Sequence, residues 1–135
     1  MTVVIKTRPR QYFIAGAFWG GTDDQYDRFI RCSIWQSGWD SKTDEYMYII
    51  KQMKAGDRIA IKKGLGGGSP DMMIRAIGII QGVDPDYGTA FVDWKVVNMK
   101  RKVPSHGCLK TIHGPFVKGQ GQGPGTDWIN QVFSL

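Results

Sequence analysis

Cys108 lies between His106 and His113, the place in the chain where a thiol and imidazoles come close in sequence. An imidazole beside a thiol can draw off its proton and leave a thiolate nucleophile. The same side chains are potential zinc ligands. A closed zinc site takes four ligands, usually in closely spaced pairs, and the spacing here is wrong for one. Neither Cys32 nor Cys108 has a CxxC partner. Cys32 falls on an expected helix and reads as a small buried hydrophobe. The carboxylates offer less. Asp23, Asp24 and Asp27 sit where a helix should begin, and the helix dipole accounts for them. Asp57 opens a strand, where a turn hydrogen bond suffices. Asp93 lies inside a strand beside Trp94 and must face water or find a partner. There is no GxSxG, no HExxH and no Ser-His-Asp pattern. The chain therefore reads as a non-enzyme, with no metal and no cofactor expected.

The remaining chemistry is aromatic and basic. The stretch "FIAGAFWGG", residues 13–21, ends a strand-like run in a tryptophan and paired glycines. Such an end serves packing, or it holds a flat ring open for a ligand, and tryptophan is usually well buried. The formal net charge is +6, with clusters at Lys62/Lys63 and at Lys100, Arg101 and Lys102. A basic surface favours a polyanionic partner. "GLGGGSP", residues 64–70, suggests a phosphate loop, but it lacks the Gly-Lys-Ser/Thr ending and no helix is expected after it. It reads as a flexible loop.

The elements that must position these residues follow from periodicity. At 135 residues one domain is expected. The apolar run over 12–19 predicts a central strand. Thr22 three residues before Gln25 has capping-box spacing, which predicts a helix through Tyr26, Phe29, Ile30 and Ile34 with Trp35 at its end. A second helix begins near Ser41 or Thr43, with Tyr46, Ile49, Ile50 and Met53 on one face and Gly56 as its terminal cap. "GDRIAIKK", "MMIRAIGIIQGV" and "TAFVDWKVV" predict strands, the second with a bulge at Gly78. "LKTIHGPF" predicts a further short strand, residues 117–125 a Gly-rich linker, and 126–135 a terminal helix. Two helices between the first two strands, then strands in succession, predict an α+β domain with a curled, mostly antiparallel sheet. No run of about 18 apolar residues is present, so no membrane-spanning helix is expected. The N-terminus carries too short an apolar stretch for a signal peptide, and the expected location is cytoplasmic.

Over about residues 12–116 the chain resembles the PUA-like superfamily, and within it the EVE and YTH domains. The segments "GAFWGGTDDQYDRFI", "IWQSGW", "KAGDRIAIKK" and "VDWK", in that order, resemble more closely a domain at the N-terminus of McrB-type AAA+ restriction proteins. The resemblance implies a PUA-like, barrel-like fold. It implies a reader that flips a modified base, in DNA rather than RNA, into an aromatic pocket within a restriction or defence system. An AAA+ motor or a nuclease subunit is then a possible partner, and a protein-docking module without base recognition is the alternative. "SIW" places Trp35 at the position of one pocket wall in YTH domains, and Ala17, Phe18 and Trp19 supply the strand end. The candidate base- and phosphate-binding set is Ala17, Phe18, Trp19, Trp35, Trp39, Lys62, Lys63 and Arg75. Trp19 is expected to turn toward a pocket shared with Trp35, and Trp94 to be core.

Overall fold

The computed structural model describes residues 8–38, 43–120 and 124–135. In chain order the strands are β1 (Tyr12–Gly16), β2 (Phe18–Trp19), β3 (Asp23–Asp24), β4 (Ile34–Gln36), β5 (Arg58–Gly64), β6 (Asp71–Asp84), β7 (Thr89–Val96), β8 (Arg101–Pro104) and β9 (Ile112–Phe116). Helix α1 (Tyr26–Cys32) lies between β3 and β4, α2 (Asp44–Lys51) between β4 and β5, and α3 (Thr126–Phe133) follows β9. The main sheet runs β4-β7-β6-β5-β1-β9, with β8 also paired to β6, and it curls into a half-barrel. It is an α+β fold whose strand pairs are antiparallel except for β1 and β5.

Alternation along the strands divides the interior in two. Phe13 and Ala15 of β1, with Ile59 and Ile61 of β5, face a core closed by Phe29 of α1 and Ile50 of α2. Tyr12 and Ile14, with Ala60, face a second core closed by Trp128, Ile129, Val132 and Phe133 of α3. Period-two side-chain placement is what lets one sheet carry helices on both faces. At Gly78 the β6–β7 register shifts, as expected of a bulge. A Cβ there would lie 2.8 Å from Trp94 Cε3 and 2.9 Å from the Asp93 carbonyl, so only glycine lets the strands pack.

Several local expectations are corrected. The first strand stops at Gly16 instead of running to Trp19. Phe18 and Trp19 pair with Asp24 and Asp23 in a separate hairpin, closed by Gly20 and Gly21 at φ 59° and 79°. The left-handed glycines turn the chain where apolar content alone would extend it. Thr22 does not cap α1. The helix starts at Tyr26, whose N–H donates to Asp24 Oδ1 at 3.1 Å. Ser33 at φ 57° ends that helix early, and Ile34–Gln36 becomes β4, antiparallel to β7. A strand of the main sheet thus stands between the two helices, and Trp35 belongs to that strand. Cys32 is exposed, not buried. Thr43 does cap α2, accepting from the Tyr46 N–H, but the helix ends at Lys51, well before Gly56. Strand β8 was not anticipated, because its basic residues hide its alternation.

Candidate functional site

A cleft of about 830 Å³ opens between the end of β1, the exit of β5 and the turn between β8 and β9. Parallel pairing of β1 with β5 sets Gly16 beside Lys62. A Cβ on Gly16 would lie 4.0 Å from Lys62 Cε, so the lysine stem runs across a bare backbone. Lys62 is 7% exposed, and burial lowers its pKa below the ordinary lysine value. Among the described residues it has no salt-bridge partner. Lys63 follows at the rim, its ammonium 5.9 Å from the Phe18 ring centroid. The facing wall is the glycine-rich loop after β5, where Gly66, Gly67 and Gly68 have φ of 70°, 60° and 73°. That backbone conformation is open to glycine and strained for other residues.

The remaining wall carries Ser105, Cys108, Lys110 and Thr111. Burial pushes the Cys108 thiol up to about 11, against the opposing pull of Lys62. A thiol with a raised pKa stays protonated at neutral pH, the opposite of an activated nucleophile. The histidines are not placed to change this. His106 meets Trp128 edge-on at 5.3 Å. His113 Nε2 accepts the Lys110 backbone N–H at 2.9 Å. Burial, then the charges of Lys62 and Lys110, lower the His113 pKa, so the neutral ring that accepts this bond is the favoured form. Lys110 also pairs with Glu45 at 3.0 Å, tying the cleft turn to α2.

Of the residues singled out from sequence, Phe18, Lys62 and Lys63 line this cleft together. Ala17 is fully buried, facing the core. Trp35 is fully buried as well, and its ring N–H donates to the Gly16 carbonyl at 2.9 Å. Trp19 is half-buried, its ring N–H donating to the Gln36 carbonyl at 3.1 Å. One face of that ring is covered by the Arg28 guanidinium, 4.9 Å from its centroid. The shared Trp19–Trp35 pocket is therefore not formed. Trp35 has no exposed face, and both indole N–H groups are committed to backbone carbonyls. Trp39 lies outside the described residues. Arg75 is directed elsewhere, paired with Asp24 at 3.0 Å and stacked 4.0 Å from the Tyr26 centroid. Trp94 donates to the Phe29 carbonyl at 3.1 Å and packs against the first core, as expected. The glycine loop and the 105–111 turn were missed as walls. Density of glycine next to Lys62 and Lys63 was the available signal.

Comparison with protein-family models and with curated proteins returned no match. Among the described residues no helix is long and apolar enough to cross a membrane.

Proposed function

We propose that this domain binds nucleic acid, DNA in preference to RNA, and admits an extruded base into the cleft beside Phe18 and Lys62. The observation that carries the reading is a nine-tenths-buried lysine at the wall of a glycine-lined cleft that also offers an aromatic ring. The cleft volume falls in the roughly 300–1,000 Å³ range of small-ligand sites. Stacking on a ring contributes about 1–3 kcal/mol per base, and extrusion costs a few kcal/mol. Phe18 alone barely offsets that, so the cations must supply the rest. The net charge of +6 supports this division, with Lys63 at the rim facing flanking phosphates. A modified base and a restriction or defence setting belong to the same proposal, and rest on the resemblance of the "GAFWGGTDDQYDRFI" and "KAGDRIAIKK" segments.

The test is fluorescence anisotropy with labelled duplexes and single strands carrying different base modifications. Phe18→Ala is expected to weaken binding by about 5- to 150-fold, the equivalent of one lost stacking contact. Binding is expected to weaken steeply between roughly 50 and 200 mM salt. Affinity indifferent both to Phe18→Ala and to salt would defeat the reading.

A further inference from the structure

Lys62 is the least exposed charged residue lining the cleft, and among the described residues no carboxylate pairs with it. Every salt bridge among the described residues uses another cation: Arg8, Arg75, Lys95, Lys102 and Lys110. The carboxylate on the cleft wall, Asp71, faces Lys102 at 3.9 Å. Among the described residues Lys62 donates no side-chain hydrogen bond, and its Nζ is not among the fully buried unpartnered atoms, so the ammonium opens onto the cleft. Its nearer titratable neighbours add no negative charge. The Cys108 thiol is held protonated and His113 is held neutral. Lys63 adds positive charge at the rim, where Lys110 is paired with Glu45. A largely buried charge without a counter-charge is costly, and an anion or a set of acceptors entering the cleft lowers that cost. The walls leave room for one. A Cβ built at Gly64, Gly66, Gly68 or Gly107 meets nothing within 4 Å.

We propose that Lys62 anchors an oxyanion carried by the ligand, a phosphate of a nucleotide or a carboxyl substituent on an extruded base. The proposal rests on the reading that nucleotides enter this cleft, and it names the chemical group that dominates their affinity. An ammonium donates only, so it rewards oxygen acceptors and gains nothing from a methyl group. Charge-assisted hydrogen bonds of this kind are about twice as strong as neutral ones.

The experiment measures binding of matched pairs by calorimetry. The probes are inorganic phosphate; deoxycytidine against its 5′-monophosphate; and single strands of one sequence with an internal cytosine or its 5-carboxyl derivative. Each is run on the wild type, Lys62→Met, Lys62→Arg and Lys63→Met. In the wild type at least one oxyanion-bearing partner is expected to bind roughly 10- to 100-fold more tightly than its neutral counterpart. That gain should vanish in Lys62→Met, be reduced but not lost in Lys63→Met, which removes a rim cation, and be partly retained in Lys62→Arg. The monophosphate and carboxyl arms identify which source supplies the oxyanion. Proton NMR of His113 gives a second readout on the unmodified protein. Oxyanion binding neutralises Lys62 and should raise the His113 pKa. No gain in any wild-type arm, or a gain that persists in Lys62→Met, overturns the proposal. Strand binding without an oxyanion gain defeats this inference alone. Monophosphate binding through Lys62 without strand binding defeats the nucleic-acid reading alone.

Discussion

Replacing Trp35 with alanine decides between a ring that packs and a ring that stacks on a ligand. The side chain is fully buried between β4 and the first core, and its indole N–H holds the Gly16 carbonyl at 2.9 Å. Truncating a buried tryptophan costs about 3–5 kcal/mol through lost transfer energy and the cavity left behind. Loss of the hydrogen bond adds roughly 1 kcal/mol. The total is a large share of the 5–15 kcal/mol typical of a domain. At about 4 °C per kcal/mol for a domain of this size, thermal unfolding should fall by roughly 15–25 °C. Trp35→Phe keeps most of the packing and loses the N–H, so it should cost far less. The assay is urea and thermal unfolding of both variants, with oligonucleotide affinity measured on the same samples at a temperature where each is folded. A Trp35→Ala protein within about 1 kcal/mol of wild-type stability that has lost ligand binding would refute the assignment. It would return the indole to the base-binding set.

Gly78→Ala should destabilise by about 1–3 kcal/mol or more, because the new methyl meets Trp94 and the Asp93 carbonyl inside 3 Å. Gly64→Ala, where the added Cβ meets nothing within 4 Å, should be close to neutral in the same urea titration. If the two variants unfold alike, the close approach of β6 and β7 is not what requires glycine. His113 should make stability depend on pH. Its pKa in the folded protein lies below the ordinary 6.5, lowered by burial and by Lys62 and Lys110. The unfolded chain therefore takes up the proton first. The contribution of His113 is fully present above about pH 6.5 and is lost as pH falls through the folded-state value. Urea midpoints between pH 5 and 8 should fall less steeply for His113→Gln than for wild type, and parallel curves would count against the neutral, Lys110-bonded ring.

Much of the framework was legible from local pattern. Alternation announced β5, β6 and β7, and the structure turns Phe91, Asp93 and Lys95 of β7 outward and Val92 inward. Thr43 was readable as a cap, and the 126–133 periodicity as α3. Two neighbouring features were not. Ile34 stands at helical spacing from Ile30, so a continued helix fits the sequence as well as a strand does. Only Ser33 in the left-handed region and the pairing of Ile34 with Phe91 decide for β4. The apolar run from Tyr12 to Trp19 likewise shows no break, since an apolar run reports burial and not direction. The turn at Gly20 and Gly21 and the hydrogen bond from the Gln25 N–H to the Ala17 carbonyl redirect it.

The site divides the same way. Sequence alone determined that the chain is α+β, that its strands bury opposite faces, and that Phe18, Lys62 and Lys63 are candidates to meet a ligand. The fold class depends on periodicity and the choice of the two lysines on charge, which act over a few residues, whereas Phe18 enters through the resemblance of its segment. Tertiary structure alone decided which candidates share a cleft. Parallel pairing of β1 with β5 brings Gly16 to Lys62, and β9 along the other edge of β1 brings the Cys108–Thr111 turn over both. It also withdrew Trp35 into the core and turned Arg75 toward Asp24. Strand partners far apart in the chain are chosen by the packing of the whole sheet, and no local pattern encodes that choice.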